Sequence, residues 1–481
     1  MNDETLETRL GELEKLTAPL EPDASTRAEL MKLLEAHTGR FLDSVRGAST
    51  YNAPDEGLSE LSTAFPENSR AAEDVFALIG AQVDQPGITP ASPRFMGYVP
   101  GGGLFYAALG DFLADISNKY AGLSFISPGA VRVENAVIKW MANAIGLPDT
   151  AHGTLTSGGS IANLLAVVAA RDAAGVAGAK ADKVSIYFTN HVHHCLFKAL
   201  HVAGLSDVNR RVIPTDDAFR MRVDALRSAM ADDVDAGLTP WLVVGSAGTV
   251  ATGAVDPLQE IGAACRECGA WFHVDGAYGG LFTLCPEGAT ALAGIELADT
   301  VVLDPHKTLF LPYGTGAVIA RDRTHLLKPF SSDASYIQDF VGTDEEVSPS
   351  NMSIELTRHF RGLRLWLSLQ LAGVSAFRAA LSEKILLARY FHQRVAALSD
   401  FEVGPAPDLS IVAFRYVPPG RDANEVNTRL LKKLQEGGEV FLSGAEIDER
   451  FTLRCAIMSF RTHLGDVKRA VDAIAATAAE V

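Results

Sequence analysis

Cysteine is scarce in this chain. There are five in 481 residues, an odd number, which excludes a complete disulfide framework and fits a reducing compartment. Positive charge is also in deficit. Lys and Arg number 42 against 59 Asp and Glu, a formal net charge of −17, which argues against an electrostatic grip on nucleic acid or on an anionic membrane. A local basic pocket for a small anion stays open. Long apolar runs are missing: the stretch IANLLAVVAA at 161–170 falls far short of the roughly 20 residues of a membrane span. The N-terminus, MNDETLETRLGELEKL, is acidic and helical in pattern, unlike a signal peptide or an Arg-rich transit peptide. There is no internal repeat and no low-complexity tract. These absences point to a cytoplasmic protein with no nucleic-acid or membrane partner. What is present is ordinary: 47% hydrophobic and 21% charged residues exclude a disordered chain. The length suggests two to four structural units at roughly 100–200 residues each, with a core large enough to need no metal or disulfide staple.

Helical periodicity at Leu6, Leu10 and Leu13, and again at Leu30, Leu33, Leu34 and Phe41, predicts helix over 1–45. A second helix is expected over about 71–84. The stretches 46–70 and 90–103, rich in Gly, Pro and Ser, read as loops. Further on, helical stretches alternate with short apolar runs: LVVGSA at 242–247, WFHVD at 271–275, TVVLD at 300–304 and GAVIA at 316–320. That alternation predicts an α/β fold, a mostly parallel sheet with helices on both faces. Asp275, and Asp304 through Lys307, stand where such sheets bind ligands. The polar stretch 331–352 is long enough to be a lid or disordered, and 357–395 reads as helix. FEVG, LSIVAFRY, a helix at 422–436, FTLRCAIM and a helix at 465–479 make a smaller α+β domain. The expected division is 1–103, an N-terminal helical segment; 104–363, a large domain; and 364–481, a small one.

Four local features bear on chemistry. In TSGGSIANLLAVVAAR, 156–171, a Gly158-Gly159-Ser160 turn opens an apolar helix, which makes either an anion cradle of backbone N–H groups or a plain loop with Ser160 as cap. In HVDGAYGG, 273–280, Asp275 ends a strand as a functional carboxylate or as a turn residue. In DPHKT, 304–308, Lys307 follows a buried strand and is either solvated or desolvated and reactive. NHVHHC, 190–195, holds three histidines without a thiolate or carboxylate partner converging in sequence, so no metal is expected and one ring stacked on a planar ligand is the reading preferred. Together these supply an anion cradle, a strand-end carboxylate, an amine for a Schiff base and a stacking imidazole. Pyridoxal 5′-phosphate needs all four: donors for its phosphate, a lysine for its aldehyde and a carboxylate that keeps its ring nitrogen protonated. Two weaker signals remain. Cys265 and Cys268 form a CxxC on a helical run, read as a reduced structural pair. Arg358, Arg361 and Arg364 share a helical spacing and read as a solvated or interface face.

From about Pro93 onward the chain resembles the group II pyridoxal-phosphate decarboxylases, the family of aromatic-L-amino-acid, histidine and glutamate decarboxylases. The resemblance is carried, in order and spacing, by RFMGYVPGGG, SPGAVRVEN, TSGGSIANL, HHCLFKAL, GTVATGAVDPLQEI, WFHVDGAYGG, LADTVVLDPHKTLFLPYG, RHFRGLRLW and FTLRCAIMSFRT. It implies the aspartate-aminotransferase type of fold and decarboxylation of an L-amino acid, aromatic by preference, to the amine. By the same token Lys307 is the Schiff-base lysine and Asp275 the partner of the pyridine nitrogen. Ala277 and His193 take the two faces of the ring, with Gly158, Gly159 and Ser160 at the phosphate and Thr300 and His306 nearby. Tyr336 is the proton donor on the mobile loop. Tyr98, Val99, Pro100 and Tyr120 belong to the substrate pocket. The resemblance also implies a homodimer with swapped N-terminal segments and active sites at the interface. The chain departs from the family at Asp304, where Asn is usual, and at Val250, where a cofactor-contacting threonine is usual. It also departs at Pro90, Val99, Tyr120 and Gly122 around the pocket. Two alternatives are an aldehyde synthase on the same scaffold, whose members typically lose the loop tyrosine or the stacking histidine, and a non-catalytic cofactor-binding paralogue.

Overall fold

The computed structural model describes residues 3–53, 61, 65–176, 178–331 and 346–481. The chain forms two compact units, Met1–Ser92 and Pro93–Val481. The first holds helices α1 (Asp3–Thr17), α2 (Ala24–Ser44) and α3 (Ala72–Ile79), and the antiparallel pair β1 (Tyr51–Asn52) and β2 (Gly87–Ile88). The periodic stretch 1–45 is thus two helices. Pro19 and Pro22 interrupt it, and Asp23 starts α2 by accepting from the Thr26 N–H at 2.8 Å. The helix expected over 71–84 ends at Ile79 and widens into a π turn, Gly80–Asp84. Leu6, Leu10, Leu13 and Leu16 on α1 are all exposed.

The second unit continues with α4 (Phe105–Ser117), α5 (Pro128–Ala144), β3 (His152–Thr156), α6 (Gly159–Ala174), β4 (Val184–Phe188), α7 (Cys195–Val202) and β5 (Asn209–Val212). Then come α8 (Val223–Asp235), β6 (Thr239–Ser246), α9 (Leu258–Cys268), β7 (Trp271–Gly276), α10 (Pro286–Ala291) and β8 (Thr300–Leu303). A single helical turn, α11 (Pro305–Thr308), leads to β9 (Gly316–Ala320) and α12 (Thr324–Phe330). Among the described residues these strands form one seven-stranded sheet in the order β3-β9-β8-β7-β6-β4-β5. Neighbours pair parallel from β8 through to β5, and β9 runs against both β3 and β8. The central strands are near-continuous apolar runs because both faces are covered by helices: Val243, Val274 and Val301 are fully buried. β5 escapes a hydrophobic reading for the opposite reason. It is an edge strand, Asn-Arg-Arg-Val, only half-covered.

The helical run expected over 357–395 is two helices, α13 (Gly362–Ala372) and α14 (Val374–Ala396). Gly373, at φ +76°, breaks them, and 357–361 is not helical. A four-stranded antiparallel sheet follows, in the order β10 (Phe401–Val403), β11 (Ile411–Tyr416), β13 (Arg450–Ala456), β12 (Ser443–Ile447). It packs against α14, α15 (Ala423–Gly437) and α16 (Leu464–Ala478) around Phe391, Phe414, Leu430 and Ile474. Residues 94–96, placed with the N-terminal segment by the sequence reading, add to this small domain. The Met96 N–H donates to Phe441 O at 2.8 Å, and the Ala456 N–H donates to Met96 O at 2.8 Å. No helix among the described residues is long and apolar enough to cross a membrane.

Candidate active site

The parallel strands β4, β6, β7 and β8 all point their C-terminal ends at the N-terminus of α6, and a cavity of about 370 Å³ opens there. This is where an open α/β sheet exposes unpaired backbone groups and helix N-termini to a ligand. Gly158, Gly159 and Ser160 form one wall. Side-chain-free backbone is required at this corner. A Cβ on Gly159 would stand 2.9 Å from Asp304 Oδ2, and one on Gly316 would stand 2.6 Å from both Asp304 Oδ1 and Gly158 Cα. The turn thus presents the first N–H groups of α6, aligned with its dipole, to the cavity.

Asp275 ends β7 and turns into the same cavity. Its Oδ1 accepts from the Ala277 N–H at 3.1 Å and its Oδ2 from Asn163 Nδ2 at 3.4 Å. Lys307 sits on the α11 turn, its Nζ 2.8 Å from Asp304 Oδ2. Burial alone would depress the Lys307 ammonium. The adjoining Asp304 charge and hydrogen bond, with Asp275 behind them, outweigh it and hold the group above its ordinary value. Asp304 is 1% exposed, and its Oδ1 has no hydrogen-bond partner. His193 and His306 also line the cavity, and burial lowers both imidazoles so that they stand neutral near pH 7. His306 Nδ1 is held by Thr315 O at 2.7 Å. Cys195 is buried beside them, its thiol pushed up to about 12 by burial, so it stays protonated.

Of the residues singled out from sequence, Gly158, Gly159, Ser160, His193, Asp275, Ala277, His306 and Lys307 converge on this one cavity, and so does Val250. Thr300 does not. It stands at the far end of β8, fully buried, its Oγ1 bonded to Trp271 Nε1 at 3.0 Å and His273 Nδ1 at 2.9 Å. A strand of four residues separates it from Asp304, so it cannot share a ligand with that end. Tyr98, Val99, Pro100 and Tyr120 do not line the cavity of the single chain either. Val99 packs on the main core and Pro100 is buried. Tyr98, at φ +52° and 54% exposed, is pinned by its N–H to Ser443 Oγ. Tyr336 lies outside the described residues.

Asn163 and His273 were given no role from sequence, although a period-two reading of WFHVD would have put His273 on the face of Asp275. The arginine trio is also corrected. All three are buried, and each is paired with a carboxylate. Arg358 bonds Thr154 Oγ1, Leu155 O and Glu134, Arg361 bonds Glu355, and Arg364 bonds Asp111 at 2.7 Å and Thr315 Oγ1 at 2.9 Å. Through Thr315, Arg364 braces the loop that holds His306. Cys265 and Cys268 are both free thiols on α9. His191 packs edge-on to Phe219, and among the described residues no group of three His, Cys, Asp or Glu side chains is placed to hold a metal ion.

Residues 54–417 match the pyridoxal-dependent decarboxylase conserved domain. An aromatic-L-amino-acid decarboxylase of Bacillus atrophaeus is 33% identical over 428 residues, 88% of this chain and 89% of that protein. A 4-hydroxyphenylacetaldehyde synthase of Rhodiola rosea is 31% identical, over 78% of this chain and 79% of its own. A crystal structure of Oryza sativa TDC with PLP and tryptamine superimposes with a TM-score of 0.89 at 27% identity, covering 96% of this chain and 99% of that one. The cavity fits pyridoxal phosphate part by part. Lys307 would offer an amine to the aldehyde, Asp275 a carboxylate to the ring nitrogen, and the glycine corner the space and N–H groups for a phosphate. The fold is that of the fold type I pyridoxal enzymes, and the chain belongs to the pyridoxal-dependent decarboxylase family.

Proposed function

We propose that this protein decarboxylates an aromatic L-amino acid to its amine, with Lys307, Asp275, His193 and Tyr336 as the working residues. The observation that carries the reading is the convergence of Lys307, Asp275 and the Gly158–Ser160 turn on one cavity. Bound pyridoxal phosphate supplies an aldehyde that condenses with an amine and a ring that takes up the electron pair left when CO2 departs. The rest falls to the chain. Lys307 anchors and releases, and must first give up the proton that Asp304 stabilises. Asp275 holds the ring nitrogen in its charged form, since an opposite charge nearby favours protonation. Neutral His193 covers one face, opposite Ala277, and orients the substrate carboxylate. His306 and Ser160 join the glycine turn at the phosphate. Tyr336 delivers a proton to the substrate carbon.

The substrate pocket is proposed to be completed by a second copy of the chain in a homodimer, acting in the cytoplasm, with the N-terminal segment 1–103 exchanged between subunits. Supporting this are the exposed Tyr98 and the uncovered apolar surface of α4, where Phe105, Phe112, Leu113 and Ile116 are 42–74% exposed. The large domain, 104–363, would bind the cofactor and 364–481 close against it. The similarity to an aldehyde synthase favours a second reading, decarboxylation followed by oxygen-dependent loss of the amine. Both are tested by incubating the holoenzyme with a panel of L-amino acids and measuring CO2, amine, aldehyde and peroxide. Amine matching CO2 one for one supports the first reading. Aldehyde with peroxide supports the second, and no CO2 from any substrate overturns both.

A further inference from the structure

Asp275 stands at the end of a line of hydrogen bonds that all point towards it. Trp271, His273 and Asp275 occupy alternate positions of β7, so their side chains leave the strand on one face. The line follows the strand for about 13 Å. Thr300 on β8 is in register with His273 and joins it from the side. Asn163, from α6, bridges the last gap.

Each link has one possible direction. Asn163 Nδ2 donates to Gly159 O at 2.9 Å, so the amide nitrogen faces Gly159 and Asp275 and the amide oxygen faces His273. His273 Nε2 lies 2.9 Å from that oxygen and must therefore carry the proton. The His273 ring is fully buried, and burial holds its pKa down to about 4, so it carries only one. Its Nδ1 is then a bare acceptor, 2.9 Å from Thr300 Oγ1, which donates to it. The Thr300 oxygen in turn receives the Trp271 indole N–H, a group that can only donate, at 3.0 Å. The order of donation is Trp271, Thr300, His273, Asn163, Asp275. Thr300 and His273 are no more than 1% exposed and do not line the cavity, so neither contacts a ligand there.

We propose that Trp271, Thr300, His273 and Asn163 are positioning residues, a one-way hydrogen-bond relay that fixes the aim of the Asp275 carboxylate into the cavity. In a buried chain each bond polarises the next, so the distal members strengthen the last donor on Asp275. This rests on the reading of Asp275 as partner of the cofactor's ring nitrogen.

The test uses the holoenzyme. Thr300→Val keeps the shape and deletes the hydroxyl; Thr300→Ser restores it. PLP affinity, the pH titration of the bound cofactor's absorbance, kcat and KM are measured for both. Thr300→Val should weaken PLP binding and lower kcat by about tenfold each, the scale of one buried hydrogen bond, with KM little changed. Its absorbance midpoint should move to lower pH, because a carboxylate free to turn supports the protonated ring less. Thr300→Ser should recover most of each loss. A Thr300→Val protein that melts earlier but keeps the wild-type affinity and titration would reduce Thr300 to packing and overturn the relay. Asp275→Asn separates the two claims. If it keeps wild-type turnover, the reading of Asp275 is what fails; if it is inactive while Thr300→Val is normal, only the relay fails. Should Thr300→Val not fold, Trp271→Phe removes the first donor and is judged by the same readings.

Discussion

Asp275 and Asp304 end neighbouring strands of one parallel sheet, and the chain holds them in opposite ways. Asp275 has a donor on each oxygen, from the Ala277 backbone and from Asn163. Asp304 is more deeply buried, yet its Oδ1 has no partner and its Oδ2 depends on Lys307. A carboxylate satisfied by fixed neutral donors keeps its aim whatever enters the cavity. A buried carboxylate satisfied mainly by the Lys307 amine is left exposed to change once that amine is engaged. Asp275 is thus held by donors that do not titrate, while Asp304 is tied to the Lys307 amine.

The largest effects are expected from removing each carboxylate charge in turn. Asp275→Asn should lower kcat by about three orders of magnitude, the effect of losing a preorganised charge in a dry site, in steady-state assays on the holoenzyme. Near-normal turnover would remove Asp275 from the chemistry. Asp304→Asn should act instead on cofactor capture. Without the Asp304 charge, burial acts on Lys307 with less opposition and its pKa falls. The amine is then neutral at lower pH, and the midpoint of PLP uptake should move down by about one pH unit or more. PLP titrations of the apoenzyme from pH 6 to 9 read this directly; an unchanged midpoint would mean that Asp304 does not control the Lys307 proton.

Smaller effects are expected at the glycine corner and at the buried histidines. Gly316→Ala drives a Cβ against Asp304 Oδ1 and the Gly158 backbone. It should cost about 2 kcal/mol of stability through overpacking and weaken PLP binding more than it lowers the melting temperature. The mildest prediction concerns acid. His273, His193 and His306 are all held below their ordinary value of 6.5 by burial. Below pH 6.5 the unfolded chain takes up protons that the native protein refuses, so stability is lost as pH falls, by up to about 1.4 kcal/mol per pH unit for each group. Asp256, raised to about 6 by burial, and Asp299, also raised by burial, work the other way, but they are two groups against five, since burial lowers His152 and His191 as well. The melting temperature of the apoenzyme should therefore fall between pH 6.5 and 5. A flat or rising profile would show that these imidazoles are not neutral in the fold.

The strands β6, β7, β8 and β9 were legible because a strand buried on both faces must be written in apolar residues. Taken singly, their ends stayed ambiguous, since Asp275 also reads as a turn residue and Lys307 as a solvated one. The edge strand β5 was not legible, since its arginines look like any loop. The division of 357–395 by Gly373 was hidden inside one helical pattern. The family resemblance put Thr300 near the phosphate, but an extended strand carries it to the opposite end.

The sequence by itself determined the kind of chemistry: local patterns set the sheet, and Lys307, Asp275 and the glycine turn, each ambiguous alone, pointed together to one cofactor. Tertiary structure alone decided what surrounds them. Asn163 meets His273 across 110 residues, Thr154 meets Arg358 across 204, and Arg364 meets Asp111 across 253. Such pairs leave no periodic trace, because a hydrogen bond specifies a distance and a direction in space. Whether a buried arginine clamps a carboxylate or faces solvent is settled only when the two segments are packed together.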